Sequence, residues 1–364
     1  MARHAPQPPL DSLARQFERF ARQESCNSSP LYERLSWGIA ADAAMLALAA
    51  CARDGQPVPN LFLAAVHFLL LKGARHPLSA FYPSISGATL SRTMCRRDNP
   101  YPAFRSFCLQ HSAQIRHLIS TRLVQTNEVQ RSACLVPAFA RVAHQAQGRP
   151  LALVEIGASA GLNLLWDRYG YDYGDGRRYG EARSPVRIAC NVHGDRRPPI
   201  PALLPPVAWR VGLDLNPVDV CEPEAALWLQ ALVWPEHNRR AALLQRAMEV
   251  ARRHPPSLMA GDALDLLPAV LPTVPRDVAL CVFHTFTVNQ FSAEARDLLS
   301  ALLAEHSARR DLYRVSIEYA GQEYPQLRLV SFEGGVAMEQ LLARCSGHGE
   351  WLEWLATDTG PSTA

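Results

Sequence analysis

Residues 151–165 constrain this chain more than any other stretch. Apolar residues fill 151–154, an acid stands at Glu155, and Gly157, Ser159 and Gly161 follow at two-residue steps before a helix-like apolar pattern starts at Leu162. Strand, tight glycine turn and helix N-terminus in that order bring backbone close to a nucleotide-type ligand. Glycine permits positive φ and leaves room where a Cβ would clash. An acid at the strand end is the acceptor that a ribose hydroxyl or a cationic group needs. The same residues also spell the G-x-S-x-G nucleophile elbow, and the plainest reading is a buried βα turn with no ligand.

Three later segments repeat the theme of an apolar run closed by a polar group. Residues 207–215 contain Asp214, followed by Asn216 and Pro217; 258–264 carry Gly261, Asp262 and Ala263; 278–285 end in His284 and Thr285. A carboxylate at a strand's C-terminal end faces the crevice where open α/β sheets bind ligands. In order, the four segments resemble the first four motifs of the class I S-adenosylmethionine (SAM)-dependent methyltransferases, with Ser159 in place of the middle glycine. The resemblance implies an α/β fold with a Rossmann-like, mostly parallel methyltransferase sheet and SAM as cofactor. It has Glu155 and Asp214 hold the cofactor, Asp214 by the ribose hydroxyls, and turns Gly157, Ser159 and Gly161 toward its amino-acid end. Asp262 falls on the adenine amino group, and the Ala263 backbone N–H on a ring nitrogen. Read without the resemblance, Asp214 caps a turn with Pro217 and Asp262 N-caps the following helix.

The acid that follows a glycine turn normally comes roughly 20 residues later. Asp214 comes far later, so 169–206 reads as an insertion, a hairpin and loop with a strand over 186–192. A hydrolase would need several strands and an oxyanion loop upstream of Ser159, whereas the first 150 residues carry mostly helical periods. Its trio would be Ser159, Asp262 and either His284 or His348. A third reading is a SAM-fold protein that binds ligand without methylating, since a side chain at Ser159 would crowd the cofactor.

Further strings, at 29–33, 59–67, 125–128, 214–219, 233–235 and His348-Gly349, together with the Glu155 turn, Leu162 and Asn163, are similar to the bacterial domain-of-unknown-function family 2332. The similarity runs from about Phe17 to Trp354. It implies a methyltransferase-like core and brings no substrate with it.

Segments 13–23, 31–53, 60–72, 101–124 and 128–147 carry apolar residues at three- and four-residue steps, separated by Gly and Pro turns. They predict an all-α N-terminal domain over 1–147, ahead of an α/β domain over 148–356 and a disordered tail over 357–364; the methyltransferase resemblance implies that the helical domain is a lid that selects the acceptor. Gln125, Thr126, Asn127 and Glu128 join two of these helices and either line the acceptor pocket or cap the second helix. If they line it, Asn127 and Glu128 lie closer to His284 than to His348. Methyl transfer is an in-line displacement that needs positioning, and a base only when the nucleophile carries a proton. His284 is the candidate base and Glu318 a weaker one; the plain alternative for His284 is a strand-end histidine bonded to backbone. His67, on an apolar helix, reads as a satisfied core histidine.

The charge balance of 37 basic against 34 acidic residues, with no basic block, argues against a nucleic-acid partner; the methyltransferase reading takes a small-molecule acceptor. Nine scattered cysteines without a C-x-x-C pair read as reduced thiols of a cytoplasmic protein with no metal site. The N-terminus has no apolar signal core, and the apolar stretches 39–52 and 61–71 are too short to span a bilayer.

Overall fold

The computed structural model describes residues 10–89 and 98–357; the expected tail beyond 357 lies outside the described residues. The chain divides into two compact units, Met1–Thr126 with Cys221–Ala242, and Asn127–Val220 with Leu243–Ala364. This division differs from the sequence boundary at 147/148. The helix Ser132–Gln145 goes with the sheet, because Phe139 packs 4.8 Å from the Trp166 ring and 5.3 Å from that of Phe283. The helix Pro223–Ala231 goes with the first unit, where Trp228 and Ala231 enter the apolar core and the Trp228 indole donates to the Leu123 carbonyl at 2.8 Å.

The described residues of the first unit form helices and turns with no strand. Its core gathers Phe17, Tyr32, Leu35, Phe62 and Phe104 among others. The expected helix over 31–53 is two, Pro30–Ala40 and Ala43–Ala49, because the Asp42 carboxylate caps the Ala44 and Met45 N–H groups and restarts the helix.

The described residues of the second unit form twelve strands: β1 Leu151–Ile156, β2 Gly170–Asp172, β3 Tyr179–Gly180, β4 Arg187–Ala189, β5 Asn191–His193, β6 Val207–Asp214, β7 Leu258–Ala260, β8 Ala279–Thr285, β9 Leu312–Glu318, β10 Gln326–Glu333, β11 Val336–Cys345 and β12 Trp351–Trp354. Nine of them build one sheet in the order β5-β12-β11-β10-β9-β8-β1-β6-β7. The run β7-β6-β1-β8-β9 is parallel throughout, and β9 to β12 continue as an antiparallel meander. β1 is buried at every position, as a strand covered on both faces must be. The chain is a mixed α/β protein with a large, mostly parallel central sheet. From β1 the connections run through β6 to β7 at one edge; β8 then returns to the other side of β1. That reversal opens a crevice at the C-terminal ends of β1 and β8.

The insertion carries the expected hairpin, β2 antiparallel to β3, and two local expectations are corrected. The strand expected over 186–192 is two: β4 joins β2 and β3 in a small separate sheet, and β5 crosses to the edge of the main sheet beside β12. Buried Tyr169, Tyr171, Tyr173 and Tyr179 supply that small sheet with a core. After the glycine turn there is a 3₁₀ segment, Asn163–Arg168, in place of an α-helix. Side chains have claimed the carbonyls that an α-helix would use: Tyr169 Oη donates to Leu162 O at 2.7 Å, Arg210 to Leu164 O at 2.7 Å, and Tyr171 Oη to Trp166 O at 2.5 Å. Among the described residues no helix is long and apolar enough to cross a membrane.

Phe139 joins the helix Ser132–Gln145 to the sheet, so Phe139→Ala should cost about 3–5 kcal/mol, the usual price of a large aromatic cavity. Phe139→Leu should cost clearly less. Urea unfolding midpoints of the two variants and the parent test this order.

Candidate functional site

The crevice at the β1–β8 reversal starts from the glycine turn. Gly157 and Gly161 sit at φ +73° and +67°, and Ser159, between them, at +49°. A Cβ on Gly157 would collide with the Thr287 side chain, and one on Gly161 would lie 2.7 Å from Pro256 Cγ. Ser159 therefore bears a left-handed backbone, a conformation costing roughly 1–2 kcal/mol for a residue with a Cβ.

What holds the turn is a complete set of hydrogen bonds. The Gly157 and Ala158 N–H groups donate to Leu213 O at 2.8 and 3.3 Å, and the Gly161 N–H to Ala158 O at 2.7 Å. The Ser159 N–H donates to Asp214 Oδ2 at 2.8 Å, and the Ala160 N–H to Asn127 Oδ1 at 3.2 Å. Asn127 Nδ2 donates in turn to Ser159 Oγ at 2.6 Å. Every N–H from Gly157 to Gly161 is thus committed, so the turn offers no free donors to an anion. With the α-helix beyond it missing, this is not a phosphate cradle.

The acid offers the opposite. Glu155 is 2% exposed, and its Oε2 is buried with no hydrogen-bond partner. Burial pushes its carboxyl well above the usual carboxylate range and nearby Asp214 adds to this, against the pull of Asn163 and Arg131. A cation placed against Oε2 would find an acceptor that nothing else satisfies. Asn163 is itself held by the Ser132 hydroxyl at 2.9 Å. Asp214 also takes the Asn216 N–H on Oδ1 at 2.7 Å, and Gly261 N–H reaches Asp214 O at 2.9 Å from the end of β7. Asp262 is exposed and N-caps the helix Ala263–Val270 through the Leu264 N–H at 2.9 Å. Ala263 is buried behind it.

Across the reversal stands His284, paired in register with Ile156. It is 2% exposed, and its Nδ1 lies 2.7 Å from Glu318 Oε1, a side chain rather than the backbone partner of the plain reading. Glu318 also accepts from the Thr287 and Val288 N–H groups, each at 3.0 Å, and so fixes the loop after β8. Although burial raises Glu318, the His284 bond and these N–H groups bring it below the ordinary carboxylate value. Burial lowers His284, outweighing Glu318's pull. The two directions agree on one state: an ionised Glu318 that can only accept, a proton on Nδ1, and a neutral ring. His284 Nε2 then keeps a bare lone pair, buried and without a partner. This is the arrangement of an oriented general base.

Glu128 turns elsewhere. It is 4% exposed and takes His348 Nδ1 on Oε2 at 3.1 Å, so the expectation that it would side with His284 is corrected. Its placement follows from the 346–350 loop, where Gly349 lies so close to Gln130 O and Arg131 N that a Cβ would not fit. Asn127 does not cap the helix after it; its side chain clamps the glycine turn. Ser159 Oγ accepts from Asn127, and no histidine among the described residues is hydrogen-bonded to it.

Sequence reasoning missed Phe286 and the role of Arg131. Phe286 sits at φ +56°, and the Arg131 guanidinium stacks 4.1 Å over its ring while donating to Gly347 O at 2.9 Å. Nothing in the local sequence signals a left-handed phenylalanine. No group of three His, Cys, Asp or Glu side chains among the described residues could hold a metal ion.

A family model described as an uncharacterized protein conserved in bacteria (DUF2332) matches residues 14–354. No curated protein and no solved structure matches the chain.

Two outcomes follow from this geometry. Ser159→Gly loses the Asn127 bond and relieves the left-handed Cβ, whereas Ser159→Ala loses the bond and keeps the strain; the glycine variant should be the more stable by about 1 kcal/mol in denaturant. His284, depressed in the folded state, contributes stability that is present above the unfolded value of 6.5 and is lost as pH falls from there toward its folded value. NMR titration should find the His284 ring neutral at pH 6.5, and Glu318→Gln should lower its pKa further.

Proposed function

We propose that this chain, which belongs to the bacterial family DUF2332, binds SAM in the β1–β8 crevice and transfers a methyl group to a small-molecule acceptor. The parallel order β7-β6-β1-β8-β9 supports a Rossmann-like reading, because it is the 3-2-1-4-5 order of dinucleotide-binding sheets, which bind ligands at the reversal. The observation that carries the proposal is the imbalance at the turn, with its N–H donors satisfied and one buried acid oxygen unsatisfied. A pyrophosphate needs donors and meets none. A ligand with an ammonium at one end and a ribose diol at the other suits what remains.

In this reading Glu155 Oε2 takes the ammonium group, which would restore its ionised form. Asp214, which ends β6 beside the turn and braces it through the Ser159 N–H, would meet the ribose hydroxyls. The free oxygen of Asp262 and the backbone of Ala263 would meet the adenine edge. SAM supplies an electrophilic methyl group on a sulfonium, so no covalent enzyme intermediate is needed. His284 Nε2 would take the acceptor's proton, with Glu318 stabilising the imidazolium that forms. Asn127 acts one step back, holding Ser159 and Ala160 in place.

Calorimetry of the purified chain should give micromolar binding of SAM and S-adenosylhomocysteine. Glu155→Gln should weaken it by about 1.5–3 kcal/mol, the range for a hydrogen bond to a charged group, while sparing the thermal midpoint. Asp214→Ala should lower both, because it also frees the Ser159 N–H. A folded protein that leaves millimolar SAM unbound removes the proposal.

A further inference from the structure

The first unit contains a second cluster of reactive groups that methyl transfer does not use. His67 lies on the helix Val58–Leu71 and is 2% exposed. Its Nδ1 is 3.0 Å from the Ala231 carbonyl oxygen and its Nε2 is 2.7 Å from Ser84 Oγ. A carbonyl can only accept, so the ring proton sits on Nδ1 and Nε2 receives the Ser84 hydroxyl. Burial lowers His67 to about 4, so the ring is neutral and the pairing persists across the physiological range. Tyr82 packs beside the imidazole with ring centroids 5.6 Å apart.

Ser84 differs from a hydroxyl that merely satisfies a buried histidine in two ways. It is only partly buried, within reach of solvent. Its backbone N–H follows Pro83 and has no hydrogen-bond partner among the described residues. Nucleophile, base, a fixed acceptor orienting the base and a free donor at the nucleophile itself are the parts of an activated serine. Ser159, in the motif that resembles a nucleophile elbow, has no such base.

We propose that Ser84 is the nucleophile of a second site that takes small carboxylic esters. Its Oγ would bond to the acyl carbon as its proton passes to His67 Nε2, and the carbonyl oxygen would take the electron pair beside the Ser84 N–H. The C–O bond to the alcohol then breaks, and the alcohol leaves with the proton from His67. Water, giving its proton to the same nitrogen, adds to the acyl carbon of the Ser84 ester; the acyl C–Oγ bond then breaks, Ser84 Oγ takes the proton back from His67, and the acid leaves. The site is independent of the SAM reading.

The test is labelling of the full-length protein with a fluorophosphonate probe, where the serine oxygen bonds to phosphorus and fluoride leaves. Peptide mapping should find the adduct on Ser84. Ser84→Ala should abolish it, and His67→Gln should slow it by about a hundredfold. In the unmutated chain the labelling rate should stay level through neutral pH and fall by half only near about 4, following His67. That profile needs no variant and stands if His67→Gln fails to fold. No adduct, an adduct that persists in Ser84→Ala or maps to Ser159, or a rate that falls around 6.5 as for an ordinary histidine, overturns the proposal.

Discussion

The Asp214 carboxylate is the interaction on which the crevice depends. From the end of β6 it takes the Ser159 N–H on one oxygen and the Asn216 N–H on the other. Charge-assisted hydrogen bonds of this kind are about twice as strong as neutral ones, enough to hold a non-glycine residue in the left-handed region. Asn127 completes the clamp from a distant part of the chain, bonding the Ala160 N–H and the Ser159 hydroxyl. Once these bonds are made, the turn is rigid and closed to anions.

That closure sets the electrostatic character of the site. A glycine turn with free N–H groups attracts phosphate; this one leaves the buried Glu155 oxygen as the group that lacks a partner. On the facing strand the pattern repeats with the opposite chemistry. Glu318 is saturated by His284 and the backbone of the following loop, while His284 Nε2 is left bare. The ends of β1 and β8 therefore each present one buried polar atom without a partner, Glu155 Oε2 and His284 Nε2. Environments that separate the protonation behaviour of nearby groups mark functional sites.

Several elements were legible in sequence because they rest on patterns a few residues long. The apolar runs of β1, β6, β8 and β9 and their closing polar residues appear where expected. Glycine at 157 and 161 signalled positive φ, which the backbone adopts. Other features depended on residues far apart. The helix expected after the turn is lost to Tyr169, Tyr171 and Arg210, which take the carbonyls it needs. Glu128 reads as a helix-entry residue and instead pairs with His348, 220 positions away. Asp262 shows the reverse case, its sequence alternative as an N-cap being the contact it makes.

The sequence by itself determined the mixed α/β character, the order of strand-ending acids along the chain and the family to which the chain belongs. Local periodicity and turn chemistry carry that information, since each acts over a few bonds. Only the tertiary structure decided which polar atoms are satisfied. Whether Glu155, His284 or Ser84 has a free atom depends on which distant side chain or carbonyl arrives beside it. That is settled by packing between elements, and with it whether the turn is a site for anions or for cations.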